Sequence, residues 1–290
     1  MSSANPQAGI MLMVVATFVF AVQDGISSHL GASYNVFMVV MLRYWFLGAF
    51  VIALALSHQG GLRQVAATPQ PWLQILRGLL LAVEICVMVS AFTLLGLVES
   101  HAVFVSFPLI IAVLSGPLLG ERVGWRRWIA IAIGFAGVLM ILQPGAAMFQ
   151  PTAAVPLLSA FLFALYAVLN RYAARRDAAL TSFFYMGVVG MLFMTPIGLW
   201  HWQAMAGSDW AWMGLLCLLG ATGHWFFIKA FALAEASALQ PFAYLQMPFA
   251  VVIGLAVFGE SLQSHVAIGS LLVIGAGLFT LWRTRIRQKG

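Results

Sequence analysis

Several ionisable residues in this chain stand where ionisable residues are rare. Lys229 and His224 lie in "GATGHWFFIKAFALA", from Gly220 to Ala234, a stretch otherwise dominated by apolar and aromatic residues. Asp24, Arg43 and Glu84 sit in equally apolar surroundings upstream. Trp225 is four residues before Lys229, on the same helical face, with Phe226 and Phe227 close by. An ammonium beside an indole and two phenyl rings suits an amphipathic solute with an anionic group. The competing role for Lys229 is to stretch to an aqueous interface and orient its helix. His224 reads as a hydrogen-bond partner or a titrating group, and a lone buried histidine is more often simply satisfied. Asp24 and Arg43 are expected at similar depth, where they would form a buried ion pair. Glu84 falls near mid-helix, where a functional role is the default; it pairs with Arg43 instead or carries a proton. Arg77 lies near a helix end and is expected to snorkel.

Neutral polar residues recur at helical spacing. Tyr166 and Asn170 are i and i+4, and Gln240, Tyr244 and Met247 are i, i+4 and i+7, with Gln246 beside them. His101 occupies the place matching Gln240 in an earlier segment. Such groups serve as interhelical hydrogen bonds worth about 0.6–2 kcal/mol, or they line a substrate pocket. Tyr244 and Gln246, next to Pro248, read as pocket. Pro108 and Pro248 remove backbone hydrogen bonds inside apolar segments, which makes each a hinge or a static kink. The metalloprotease, P-loop and nucleophile-elbow patterns are absent. The serines and histidines show no spacing that converges a nucleophile on a base. Cys86 and Cys217 lie in separate apolar segments and point to neither a disulfide framework nor a metal cluster. No enzyme activity, metal or cofactor is expected.

These residues are held by segments that belong in a bilayer. The chain is 63% hydrophobic and 8% charged, against roughly 45–50% and 25% in soluble domains. Apolar stretches long enough to cross hydrocarbon, about 20 residues each, run over 9–29, 36–57, 73–95, 101–119, 126–143, 153–171, 181–202, 210–233, 237–258 and 264–283. Runs of that length exclude a membrane barrel. The expected fold is an all-α polytopic membrane protein of ten transmembrane helices. The start "MSSANPQAG" lacks the basic residues of a cleaved signal, so the first segment is expected to stay.

Eleven basic residues collect on one set of connections and the tail: Arg63, Arg122, Arg126, Arg127, Arg171, Arg175, Arg176, Arg283, Arg285, Arg287 and Lys289. The opposite set, near 30–35, 96–100, 144–151, 203–209 and 259–263, carries none. Cytoplasmic loops hold the excess of Lys and Arg, so both termini are expected in the cytoplasm. This placement accounts for the net charge of +6 without nucleic acid. The expected surroundings are the cell inner membrane, with a small-molecule substrate and the lipid bilayer as partners. The chain reads as a monomer, with homo-oligomers left open.

The chain also repeats itself. "AFTLLGLVESHAVFVSFPLIIAVLSGPLLGERV" and "AFALAEASALQPFAYLQMPFAVVIGLAVFGESL" both open on Ala-Phe, carry a mid-segment proline and reach Gly-Glu; Gly120 and Gly259 are 139 residues apart. A glycine-rich apolar segment follows each. "QPGAAMFQP" separates the halves, dividing the chain into five-helix repeats at 1–145 and 146–290. Five helices per half invert the second repeat in the membrane, a construction of secondary transporters with the site near the midplane.

Ten segments, two matched halves, and in each a segment ending in Gly-Glu before a glycine-rich one resemble the drug/metabolite transporter superfamily, in its EamA-type bacterial branch. That resemblance covers essentially the whole chain. It implies a basket of helices around a central cavity, with the fifth and tenth as peripheral supports. It also implies alternating-access export of small amphipathic metabolites, neutral or aromatic amino acids before others. Uptake, or facilitated movement of a drug or metabolite, is the alternative within the fold. An intramembrane enzyme or a membrane scaffold is the alternative outside it.

Overall fold

The computed structural model describes residues 5–95, 97–121, 123–142, 151–249, 252 and 264–289. Among these there is no strand. The helices, in chain order, are α1 (Pro6–Ser33), α2 (Val36–Ser57), α3 (Gly61–Ala66), α4 (Pro71–Leu95), α5 (Leu97–Phe104), α6 (Phe107–Leu119), α7 (Trp125–Leu142), α8 (Ala154–Ala173), α9 (Ala179–Trp200), α10 (Asp209–Leu233), α11 (Ala236–Ala243) and α12 (Ser264–Lys289). Six of them, α1, α2, α4, α8, α9 and α10, contain stretches long and apolar enough to cross a membrane. Two helices start where short polar side chains bond free amide groups, as N-caps do. Asn5 accepts from the Ala8 amide at 3.1 Å, and Asn35 from the Phe37 amide at 2.9 Å.

Two expected segments are interrupted. The one assigned to 101–119 is two helices, α5 and α6, separated by a turn at Val105–Ser106. In the one assigned to 237–258, α11 ends at Ala243, Tyr244 and Leu245 form a turn, and residues 246–249 are helical again. The short α3 between α2 and α4 was not anticipated, because six residues fall below the length at which periodicity is readable. The second Gly-Glu mark, Gly259-Glu260, lies outside the described residues.

α1 packs along α10, α2 along α9, α4 against α8 and α9, and α7 along α12. One buried cluster of Met, Phe, Leu, Val and Ala side chains joins α1, α2, α4, α6, α8, α9, α10 and α11. The opposite faces expose large apolar residues such as Leu56, Leu192, Leu271 and Trp282, as hydrocarbon-facing surfaces do. Lipid supplies little hydrophobic drive between helices, so close backbone approach and packing must hold them. Gly190 on α9 shows how tight that approach is. A Cβ there would lie 2.0 Å from a ring carbon of Tyr44 on α2, and Tyr44 is itself buried.

Gly190→Ala is therefore expected to force α2 and α9 apart and destabilise the bundle by about 1–3 kcal/mol, the usual range for overpacking. Thermal unfolding of the detergent-solubilised variant checks this, and an unchanged midpoint would contradict the close α2–α9 contact.

Candidate functional site

A cavity lies inside the bundle. α1 contributes Phe20, Gln23, Asp24 and Ser27, α2 Arg43, α4 Glu84 and Phe92, and α10 His224 and Phe227. His101 and Phe104 come from α5, Phe107 from α6, Phe163 from α8, and Gln246 from the helical residues after the Tyr244–Leu245 turn. No described residue of α7 or α12 lines it, and these two pack against one another.

The walls are aromatic. The Phe92 and His101 rings stack at 5.2 Å and 11°. Phe163 meets Phe104, Phe107 and Phe227 at 5.6, 5.0 and 5.3 Å. Into this lining project two carboxylates and a guanidinium. Asp24 Oδ2 is 3.2 Å from His101 Nε2 and accepts from the Gln246 side-chain amide at 2.5 Å. Glu84, 4% exposed, accepts from the Ser159 hydroxyl at 2.7 Å. Arg43 reaches the cavity from α2 with no carboxylate in salt-bridge contact among the described residues. The expected Asp24–Arg43 pair is thus not formed. Asp24 is turned to the α5 and Gln246 side, where a histidine and an amide supply its hydrogen bonds.

The helix breaks position two of these partners. At Val105–Ser106 the chain closes its own backbone bonds through turns, Val105 N–H to His101 at 3.0 Å and Ser106 N–H to Val103 at 3.1 Å. Pro108 then sits in the first turn of α6, where its missing N–H removes nothing. Pro108 and Pro248 thus follow turns; neither sits inside an unbroken helix. Gln246 enters the cavity, while Tyr244, two residues earlier and on the opposite side, packs against Gly134 and the α7–α12 side.

One end of the bundle is closed by charged groups. α6 stops at Gly120, whose φ of +69° is left-handed and suits glycine. The chain turns there and sets Glu121 against the start of α11. Glu121 Oε1 accepts from the Ala236 amide at 3.1 Å and Arg171 at 3.4 Å, and its Oε2 from the Ser237 amide and hydroxyl, both at 3.2 Å. A carboxylate at a helix N-terminus satisfies free amides and complements the helix dipole. Arg171 also donates to the Phe231 and Ala232 carbonyls that end α10. Arg127 pairs with Glu235 at 2.6 Å and donates to Ser237 at 2.8 Å. Arg175 donates to the Leu119 carbonyl. The Gly-Glu mark is therefore a helix stop followed by a helix cap.

A further polar layer lies between this end and the cavity. Arg77 does not snorkel: it is 1% exposed and donates to Gln74 and Asn170. Its guanidinium carbon is 5.7 Å from the Tyr166 ring centre. Tyr166 stacks on Phe227 at 6.1 Å and 5°, one layer beneath the cavity. Tyr166 and Asn170 therefore do not line the cavity. Lys229 does not line it either. Its ammonium rests 4.9 Å from the Trp225 ring centre, and Trp225 packs on Phe183 of α9.

Two matches to the EamA-like transporter family, over residues 7–143 and 151–282, account for nearly the whole chain. The chain belongs to the EamA-like transporter family. The S-adenosylmethionine uptake transporter of Rickettsia prowazekii (strain Madrid E) is 24% identical over 277 residues, covering 94% of this chain and 92% of that protein. The riboflavin transporter of Vibrio cholerae serotype O1 is 27% identical over 285 residues, covering 97% and 95%. The pseudopaline exporter CntI of Pseudomonas aeruginosa is 23% identical over 274 residues, covering 93% and 94%. A crystal structure of another protein superposes with a TM-score of 0.82 at 18% identity, covering 97% of this chain and 100% of that one; it is a likeness of fold. The chain is a multi-pass membrane protein of a transporter family.

Of the candidate residues of this EamA-like chain, Asp24, Arg43, Glu84, His101, His224 and Gln246 meet at the cavity. Lys229, Trp225, Tyr166, Asn170 and Tyr244 do not. Ser159 and the phenylalanines of the lining other than Phe227 were not anticipated as site residues, since each has the composition of ordinary core. Ser159 is recognisable only by the carboxylate opposite it.

Glu121→Ala should leave the Ala236 and Ser237 amides and Arg171 without their acceptor. Losing a charged acceptor of buried donors is worth about 1–3 kcal/mol, so that end should open about 5- to 150-fold more often. Alkylation of a cysteine at Ala238, 5% exposed, should quicken accordingly; an unchanged rate would show that Glu121 does not hold this end shut. Lys229→Gln should change substrate affinity less than about fivefold, since only an ammonium–indole contact of about 0.5–1 kcal/mol is removed. A larger loss in a transport assay would restore Lys229 as a substrate anchor.

Proposed function

We propose that this EamA-like protein is a secondary transporter. It moves a small metabolite with a planar, ring-bearing body across the cytoplasmic membrane, inward, by exposing the central cavity alternately to the two sides. The observation that carries this reading is the cavity itself. Aromatic rings and charged groups gathered inside an apolar bundle are what a compact amphipathic solute needs.

The family matches at 7–143 and 151–282 support reading the chain as two repeats, 1–145 and 146–290, inverted in the membrane as ten spans. The basic bias supports placing both termini, and the end closed by Glu121 and Arg171, in the cytoplasm. The conformation described is then one shut toward the cytoplasm. Inward movement rests on the relatives called uptake transporters. Outward movement of neutral or aromatic amino acids is the second reading; the relative called an exporter supports its direction alone. Asp24, Arg43, Glu84, His101, His224 and Gln246 are the proposed contacts, with Glu84 and Asp24 as sites for a coupling proton. The breaks before Pro108 and Pro248 are the proposed flexing points.

Purified full-length protein in sealed liposomes should accumulate at least one of S-adenosylmethionine, riboflavin, tryptophan and phenylalanine saturably, and return it chemically unchanged. Phe163→Ala should weaken apparent affinity for it about tenfold, since ring stacking and buried apolar area are both lost. Failure to move any of the panel, or recovery of an altered solute, would refute the transporter assignment in favour of a scaffold or an enzyme.

A further inference from the structure

The polar atoms of the cavity are not equally occupied. Both carboxylates have hydrogen-bond partners: Asp24 has His101 and Gln246, and Glu84 has Ser159. The Arg43 guanidinium has neither a hydrogen bond nor an ion pair among the described residues, although it reaches the same cavity. Three buried polar atoms on these walls also lack partners: Gln23 Oε1, Ser27 Oγ and His224 Nδ1. Their residues are 8%, 6% and 6% exposed. Gln23 and Arg43 converge on one place, since a Cβ at Gly220 would lie 3.3 Å from Gln23 Oε1 and 3.4 Å from an Arg43 nitrogen.

Unpaired polar groups buried in an apolar bundle are costly, and buried polar atoms in folded proteins are nearly always bonded. Three such buried atoms around one cavity, beside a half-buried Arg43 guanidinium with no hydrogen bond or ion pair among the described residues, point to a ligand that completes them. Their chemistry limits what that ligand is. Arg43 offers a planar fork of N–H donors matched to a carboxylate, and Ser27 offers another donor. Asp24 retains acceptor capacity beyond its two partners, and Gln23 Oε1 is a second acceptor. A carboxylate and an ammonium carried on one small head group would satisfy both sets, while the ring-bearing remainder lies among Phe92, Phe104, Phe163 and Phe227. Cavity contact, not mere proximity in sequence, distinguishes Arg43 from Lys229 as the anion partner.

We propose that the cavity binds the zwitterionic head of an α-amino acid with a planar or heterocyclic side chain, Arg43 and Ser27 taking the carboxylate and Asp24 and Gln23 the ammonium. This deepens the transporter reading and rests on it. It favours amino-acid-bearing solutes such as S-adenosylmethionine or tryptophan over riboflavin, which has no such head.

The test uses full-length protein in liposomes and two matched pairs, S-adenosylmethionine with its decarboxylated form and tryptophan with tryptamine, plus riboflavin. Wild type should prefer the carboxylate-bearing member of at least one pair by tenfold or more. Arg43→Gln should weaken that member roughly ten- to a hundredfold, the loss expected of a charge-assisted contact. It should leave the decarboxylated partner within about twofold. Arg43→Lys should recover part of the preference, and Ser27→Ala, which removes one hydroxyl and no charge, should reduce it in the same direction. An equal loss for both members, or no preference in wild type, overturns the head-group assignment. Saturable movement of riboflavin alone also overturns it while leaving the transporter reading intact. Movement of none of the five overturns both. If Arg43→Gln fails to fold, Ser27→Ala and Arg43→Lys decide: unchanged discrimination in both overturns the proposal.

Discussion

An ionised side chain within a hydrocarbon-spanning bundle must find its partners inside the protein, because lipid tails offer none. Much of this molecule follows from that constraint. Asp24, Arg43, Glu84 and Arg77 all turn inward, and the helices that carry them must meet where they meet. Glu84 on α4 faces Ser159 on α8, Asp24 on α1 faces His101 on α5 and Gln246, and Arg77 on α4 faces Asn170 on α8. Each contact joins elements far apart in sequence. The polar groups thus specify which apolar helices face one another, a choice that interchangeable leucines and valines make poorly.

The same constraint explains why two helices stop short. Backbone amides and carbonyls need partners as ionised groups do, so a break inside a membrane bundle survives only where turns, side chains or a cavity supply them. At Val105–Ser106 the turn bonds do this, and the break presents His101 to Asp24. Just after the Tyr244–Leu245 turn, Gln246 donates to that carboxylate. Asp24 is therefore held by residues on either side of two breaks. A change in either break moves a contact of the candidate site directly, which is how local backbone rearrangement and solute binding would be coupled.

At the other end, Glu121 does for helix termini what Ser159 does for Glu84. It ties the end of α6, the start of α11 and, through Arg171, the end of α10 into one polar knot. This knot, the Arg77 layer and the cavity are arranged in series. A solute in the cavity would have the Asp24 end before it and two polar layers behind it. Charged contacts suit a closure that must be broken and remade, since they are directional and weaken when water enters.

Much of the architecture was legible in the sequence because it depends on properties local to each segment. Apolar length and composition alone require membrane helices. The doubled Gly-Glu pattern pointed to the transporter family that the chain matches. What the sequence could not decide was which neighbour each helix face meets. Tyr244 and Met247 share a face, as their spacing requires, but that face packs into the cluster around α7 and α12, and Gln246, two residues on from Tyr244 and on the opposite side, is the one that reaches the cavity. Nor does one-dimensional spacing tell which cation is solitary. Lys229 beside Trp225 reads as an anchor in the sequence, yet the packing of α9 against α10 takes it from the cavity, while Arg43, expected to pair with Asp24, is left there without a carboxylate. Partnership of buried charges is a property of helices brought together from different parts of the chain, and only the tertiary structure brings them together.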